Sequence, residues 1–464
     1  MSPSESSSTL LQSLWSEHKL PQDTIAHIRL TGTDFRLPSS FAVSTIAQST
    51  IAAAAGIAIE MGYHRSGHRQ HTTIDSLDAS MECSAFYRLN GKTPPQWAEL
   101  SGLYQTADGF IRVHANFDHH RDIALEVLGL PAGTATNRDQ TAARIQQWKT
   151  QDLDDAISNA NGVCSSYRSF DEWDAHLQAR ALAALPLVEI EKIGEAPPRD
   201  KSSIDKKTLP LSGIRVLDLT RILAGPVCGR TLAAFGADVM LVNSPTLPNI
   251  DSIIDTSRGK LSTLVDLKTR SGFQTLQNLT RGADIFIQGY RPGGLAELGF
   301  SPEVLCAENP GLIYTSLSAY GRTGPWRNRR GFDSLVQTAT GFNHAEAIAF
   351  GMQTPKALPV QILDYATGYL MAFGSQVALY RQLIEGGSWH VQVSLARTGH
   401  WLRSLARTPE DIDCAVPNAA DHLEPYDSHY GALEAIPHAA RLSDCSTNWN
   451  RPSVPPGTHQ PVWP

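Results

Sequence analysis

The residue whose type and setting could do chemistry is Asp364, within residues 358–369, LPVQILDYATGY. A short apolar run ends on this lone carboxylate, and a segment rich in small residues continues with helical spacing through Ala378 to Leu383. That places Asp364 at or beside a helix N-terminus, where free N–H groups and the helix dipole favour the ionised form. Two readings follow. The carboxylate is a helix cap, or, at the mouth of a crevice, it is a nucleophile toward an activated carbonyl.

Other chemistry-bearing clusters are weaker. His64, His68 and His71 with Arg65 and Arg69 read as a solvated turn after a helix rather than as a metal or phosphate patch. Asp118, His119 and His120 read as a surface loop opening a helix, and no metal site is expected. Six cysteines, at 83, 164, 228, 306, 414 and 445, form no C-x-x-C pair. That fits a reducing compartment and argues against a cysteine-rich zinc module.

Composition narrows the classes further. The 464 residues are 18% charged and 41% hydrophobic with a formal net charge of −7, ordinary values for a globular chain of two or three domains. The acidic balance argues against general nucleic-acid or anionic-membrane binding, so any anionic ligand needs local Arg and Lys. No apolar run is read as crossing a bilayer, and neither a leader nor a peroxisomal ending is visible. The expectation is a cytoplasmic chain, an organelle staying open.

The elements that must position Asp364 lie on both sides of a Pro- and charge-rich stretch. Residues 1–36 are an N-terminal segment. Residues 37–193 hold a buried helix around Ile46 to Met61, a strand from Thr72 to Leu77, and a small α+β domain from Leu103 onward. Residues 194–212, GEAPPRDKSSIDKKTLPLS, read as a linker. From Gly213 the pattern is β-α-β, with strands at 214–219, 238–242, 262–266, 284–288 and 312–317. The fold class is therefore α/β, a Rossmann-like open parallel sheet with helices on both faces, plus a smaller α+β domain. Residues 213–408 make this layer, and 409–464 read as an extended arm. The first strand turn, TRILAGP at 220–226, lacks G-x-G-x-x-G, which weakens a dinucleotide reading. An internal echo runs from Leu37-Pro38, an Ala-rich helix and Asp75-Ser-Leu77 to Leu358-Pro359, a small-residue helix and Val393-Ser-Leu395. In that register Val43 stands where Asp364 stands.

The second half resembles the class III CoA-transferase family, the group of formyl-CoA and carnitine CoA-transferases and 2-methylacyl-CoA racemases. The residues that carry the resemblance are LSGIRVLDL at 211–219 with AGP at 224–226, FGADV at 235–239, RGKLSTLVDLK at 258–268 and ADIFIQGYRPG at 283–293. They continue with LGF at 298–300, Asn309-Pro310, Tyr320-Gly321, GFD at 331–333 and DYATG at 364–368. The first half resembles the same family out of order, as in a partly duplicated or permuted member. The resemblance implies that Asp364 is the nucleophile, that it forms an aspartyl anhydride and then an aspartyl-CoA thioester, and that Ala224, Lys268, Tyr290, Arg291 and Arg330 contact CoA. It implies coenzyme A as a substrate carrier rather than a tightly bound cofactor, an acyl-CoA and a carboxylic acid as partners, and a homodimer. Racemases of the group carry His before the Asp of the Gly-x-Asp motif, and Phe332 occupies that place here. Racemisation and a catalytically silent CoA-binding role are the alternatives.

Overall fold

A computed structural model of the chain describes residues 6–32, 35–199 and 203–464. Parts of the N-terminal segment and of the 194–212 stretch thus lie outside the described residues. The centre is a seven-stranded sheet. In chain order its strands are β1 (Glu189–Gly194), β2 (Arg215–Leu219), β3 (Asp238–Asn243), β4 (Lys260–Leu264), β5 (Ile285–Gln288), β6 (Ile313–Ser318) and β7 (Ser388–Ser394). They lie in the order β4-β3-β2-β5-β6-β7-β1, all parallel except β1, which runs antiparallel along β7. This is the α/β layer expected from the alternating pattern, with β4 starting two residues earlier than its sequence suggests.

Period-two alternation divides the sheet between two cores. Val216, Val239, Ile285, Ile287 and Ile313 point to one face, and Leu217, Met240, Phe286 and Tyr314 to the other. The second face is covered by helices Arg270–Arg281 and Pro302–Glu308. The first face carries three helices that build the heart of the molecule: α1 (Val43–Ser66), α2 (Ala224–Ala234) and α4 (Ile362–Glu385). The short α3 (Asp333–Ala339) lies at the N-terminal end of α4.

Close approach of these helices requires small side chains. A Cβ on Gly368 of α4 would lie 2.5 Å from the Ala224 carbonyl oxygen and 2.9 Å from Val227 of α2. Helix α1 presents Ala52–Ala55 and Ala58, all fully buried. Its length and apolar composition match a bilayer span, contrary to the sequence expectation, but its apolar window is buried entirely inside the protein. Such a helix is explained by a core position.

The internal echo is a structural repeat. Both α1 and α4 have 24 residues, start after cap residues of near-identical backbone (φ −72°, ψ 53° at Ala42; φ −77°, ψ 60° at Gln361), and end at a glycine of positive φ, Gly67 or Gly386. A parallel strand pair precedes and follows each helix, with Thr31 opposite Asp75 in one copy and Ser318 opposite Ser394 in the other. Asp75 and Ser394 then each cap a following helix. One constant offset sets Val43 on Ile362, Gly67 on Gly386 and Asp75 on Ser394. The residue matching Asp364 is therefore Thr45, not Val43.

The small domain is a three-stranded sheet, Gly102–Gln105, Phe110–Val113 and Cys164–Ser166, backed by helices Asp118–Val127, Arg138–Ile145 and Thr150–Asn159. The described residues of 194–212 lie on the body: Arg65 donates to the Pro210 and Ser212 carbonyls at 2.8 Å, and Gln382 to that of Pro197 at 3.0 Å. The final segment adds strand Ala440–Leu442 to Thr72–Asp75 and strand Leu433–Ala435 to Tyr87–Leu89.

A buried ionic cluster joins these parts. The Glu82 carboxylate accepts from Arg230 at 3.2 Å, His438 Nδ1 at 2.9 Å and the Ala439 N–H at 2.8 Å. Arg230 also pairs with Asp255, which pairs with Arg258, and the Arg258 guanidinium lies 4.0 Å over the Trp449 ring. Burial would raise the Glu82 pKa, but His438, Arg230 and the Ala439 N–H together pull it down to about 2. A depressed carboxylate contributes stability above its unfolded pKa and loses it as pH falls through the folded one. Glu82→Gln should therefore cost about 3–5 kcal/mol at pH 7, because Arg230 keeps its charge in a buried setting. Denaturant unfolding checks this, and a change under 1 kcal/mol, the range of about 0–1 kcal/mol measured for surface pairs, would contradict it.

Candidate active site

The last but one residue of strand β2 is Asp218, whose carboxylate is buried with Lys260 at 2.8 Å and accepts the Thr220 N–H at 2.9 Å. Lys260 also donates to the Pro226 carbonyl at 2.8 Å, so this ion pair fixes the turn between β2 and α2. Gly225 and Gly229 allow it, since a Cβ would meet Thr220 and Asp218, each at 2.3 Å. The turn forces Ile222 to φ 77°, a left-handed conformation unusual for a β-branched residue. Such strain collects at functional sites, and Ile222 stands at the junction of two cavities.

The larger is a cleft of about 310 Å³ beyond the C-terminal ends of β2, β5 and β6. Of the residues singled out in the sequence, Asp364, Ala224, Tyr290, Arg291 and Arg330 line it together. Lys268 does not; it is exposed after β4 and absent from the lining. Arg291 pairs with Glu297 at 3.0 Å, and Arg330 donates to the Asn161 carbonyl at 3.0 Å, so both are tethered at the rim.

Four further lining residues were not singled out as site residues. Arg221 spans to the Pro248 carbonyl, while its buried Nε has no partner among the described residues. Arg329 is anchored on Asp154. His119 and His120 come from the small domain, and His120 is buried rather than part of a surface loop. Burial, then His119, His114, Arg330 and Arg221, push the His120 pKa down to about 3, so its ring is neutral. Among the described residues no group of three or more His, Cys, Asp or Glu is arranged to hold a metal.

The smaller cavity, about 110 Å³, lies on the other side of Asp364. It is bounded by Ile222, Phe332, His114 and the loop carrying Pro94, Pro95 and Trp97. The His114 ring stacks on Phe332 with centroids 4.0 Å apart.

Asp364 is the third residue of α4 and is 8% exposed. The helix N-terminus does not serve its carboxylate as the sequence suggested. The Asp364 N–H donates to Asp333 Oδ2 at 2.9 Å, and the Leu363 N–H serves Asp333 as well. Asp333 is thus the residue held by the helix end, its pKa raised to about 6 by burial against these hydrogen bonds and Arg112. Burial first, then the Asp333 charge, raise Asp364 well above the usual carboxylate range. The carboxylate is poorly solvated, which favours its protonated form.

Residues 211–430 match the model of CoA-transferase family III. Acetyl-coenzyme A transferase nodX of Hypoxylon pulicicidum is 28% identical over 326 residues, covering 66% of this chain and 55% of that protein. Succinate–glutarate CoA-transferase of Agrobacterium fabrum is 36% identical over 205 residues, 40% of this chain and 51% of that protein. The beta subunit of succinyl-CoA–L-malate CoA-transferase of Chloroflexus aurantiacus is 30% identical over 249 residues, 50% of this chain and 58% of that protein. The chain spans about half the length of the curated relatives it matches.

A raised carboxyl pKa has a signed consequence for stability. The contribution of Asp364 is present below the unfolded value, about 3.9, and is lost as pH rises through the raised folded value. Asp364→Asn should therefore raise the melting temperature at neutral pH by about 2–4 °C or more, with the gain closing toward pH 4. Calorimetry across that range checks it; an unchanged or lower melting temperature at neutral pH would show that Asp364 is not a buried, destabilising charge. The segment that matches CoA-transferase family III, residues 211–430, contains the Asp364 helix and the strand ends that open onto its cleft.

Proposed function

We propose that the chain moves CoA from an acyl-CoA thioester to a carboxylic acid, with Asp364 as the covalent carrier. One observation carries this reading: among the described residues, Asp364 is the one ionisable side chain common to the cation-bearing cleft and the smaller cavity. A thioester bridging the two cavities would present its carbonyl carbon to that carboxylate.

The chemistry balances without a net proton. A carboxylate oxygen of Asp364 attacks the thioester carbonyl, the C–S bond breaks, and CoA thiolate leaves a mixed anhydride. The thiolate attacks the aspartyl carbonyl carbon and releases the first carboxylate, which leaves an aspartyl-CoA thioester. The acceptor carboxylate then displaces thiolate at that carbon, and the thiolate attacks the acceptor acyl carbon, freeing Asp364 and the new thioester. Both anhydrides hydrolyse in water, so a nearly enclosed carboxylate serves the reaction. Arg221, Arg291 and Arg330 supply cationic donors for the phosphates of CoA, and Ala224 lets the carrier approach the backbone of α2. Lys268, exposed and outside the cleft, has no part in this reading.

The names of the relatives include acetyl, glutarate and malate transfer, so they leave the acyl group open. Racemisation of a 2-methylacyl-CoA needs a second acid–base group. His114, behind Phe332, is the candidate by position, but burial and then Arg112 push its pKa down to about 3, too low for proton abstraction at neutral pH. A silent CoA-binding role does not call for a carboxyl group shared by both cavities. The homodimer that the resemblance implies is a separate proposal, and the residues invoked here for the two cavities all belong to one chain.

Incubation with an acyl-CoA, trapping with hydroxylamine and peptide mass spectrometry test the carrier. Modification should fall on Asp364, and Asp364→Ala should lose it together with about a thousandfold or more of the transfer rate. Label elsewhere, or full turnover by Asp364→Ala, would refute the proposal. Release of α-deuterium without label at Asp364 would instead indicate racemisation, and neither label nor exchange would indicate the silent role. The rate should rise with pH as Asp364 ionises. Asp333→Asn, by removing the neighbouring charge, should move that rise to lower pH; a shift to higher pH would contradict the assignment.

A further inference from the structure

The two cavities that meet at Asp364 differ in charge. The cleft carries Arg221, Arg291, Arg329 and Arg330, the cations that a polyphosphate ligand needs. Among the described residues, no Lys or Arg lines the smaller cavity. Its walls are Tyr87, Pro94, Pro95, Trp97, Ile250 and Phe332, and its carboxylates are Asp251 and Asp364. Arg112 is close, 4.8 Å over the Trp97 ring, but it is not a lining residue.

Two buried polar atoms on this wall have no partner. His114 is 4% exposed and Ser334 2%, and neither His114 Nδ1 nor Ser334 Oγ makes a hydrogen bond within the described residues. Leaving such groups unsatisfied is costly, and both line the space beside Asp364. A neutral imidazole and a hydroxyl suit one acyl oxygen. They do not suit a second full negative charge, which would stand without a lining cation beside Asp251 and Asp364.

We infer that this cavity is the acyl subsite and that it takes a compact, uncharged apolar acyl group, branched or aromatic, of a monocarboxylic acid. The carboxyl carbon of the acyl group faces Asp364, and the apolar remainder packs on Trp97, Tyr87 and the Pro94-Pro95 turn. Dicarboxylic acyl groups are disfavoured because the distal carboxylate has no cation to meet. The volume, about 110 Å³, would hold roughly seven to ten waters, enough for a short branched or single-ring group but not a long straight chain. This inference rests on the CoA-transfer reading above.

The test compares 3-methylbutanoyl-CoA and benzoyl-CoA with succinyl-CoA and glutaryl-CoA as donors, each against its own free acid in labelled form as acceptor, by kcat/KM. The apolar pair should exceed the dicarboxylic pair by at least about a hundredfold. Thr93→Arg, a substitution at an exposed lining residue, should narrow that ratio by about tenfold or more by supplying the missing cation. Equal or better turnover of succinyl-CoA or glutaryl-CoA would overturn the inference while leaving CoA transfer intact. So would a ratio that Thr93→Arg does not move. Silence with all four thioesters, from a protein that still unfolds cooperatively, would remove the transfer reading and this inference with it.

Discussion

The structure depends on one steric constraint: α4 is enclosed on its whole circumference, and its first turn must still reach the surface of a cleft. Helices α1 and α2 and the β6–β7 face crowd around it, and at the closest approaches only glycine fits. Gly368 against the Ala224 carbonyl is the tightest of these. A larger residue there would push the start of α4 away from the β2–α2 turn, and Asp364 stands on that start. Packing density of this kind transmits sub-ångström changes rather than absorbing them. The position of one carboxylate is thus set by contacts between backbones, not by the flexibility of its own side chain.

Electrostatics then decides the use of that position. Asp333 takes the N–H groups at the head of α4, so Asp364 is left with burial and a like-charged neighbour. The fold holds a destabilised carboxylate in place through ionic ties elsewhere. Lys260 with Asp218 braces the turn below it, and the Glu82 cluster pins the first half and the final segment onto the sheet. Energy stored at the site is offset by these distant pairs, a pattern expected where reactivity and stability compete.

Much of this was legible in the chain. Alternating β-α-β periodicity gave the sheet because parallel strands buried on both faces write a strong local pattern. Asp364 stood out as a carboxylate opening a small-residue helix, and the motif residues Ala224, Tyr290, Arg291 and Arg330 converge on its cleft. The errors concern relations between distant segments. Arg221 was overlooked because nothing in TRILAGP says which way its guanidinium turns. His114 and His120 come from a domain more than two hundred residues away from Asp364, and their burial depends wholly on docking. The ionised state expected of Asp364 followed from its helix position alone; Asp333, thirty-one residues earlier, reverses it. Likewise, the repeat was visible in sequence, but its register, Thr45 rather than Val43, follows from the caps and strand ends.

The central claim is that an oxygen atom of Asp364 passes through the acyl group on every turnover. Supplying an acceptor acid labelled with 18O in its carboxylate and analysing the Asp364 peptide measures this directly. The account predicts that the label enters the Asp364 side chain, because the bridging oxygen stays on aspartate when thiolate attacks the acceptor acyl carbon. New thioester formed at full rate with Asp364 free of 18O would contradict it.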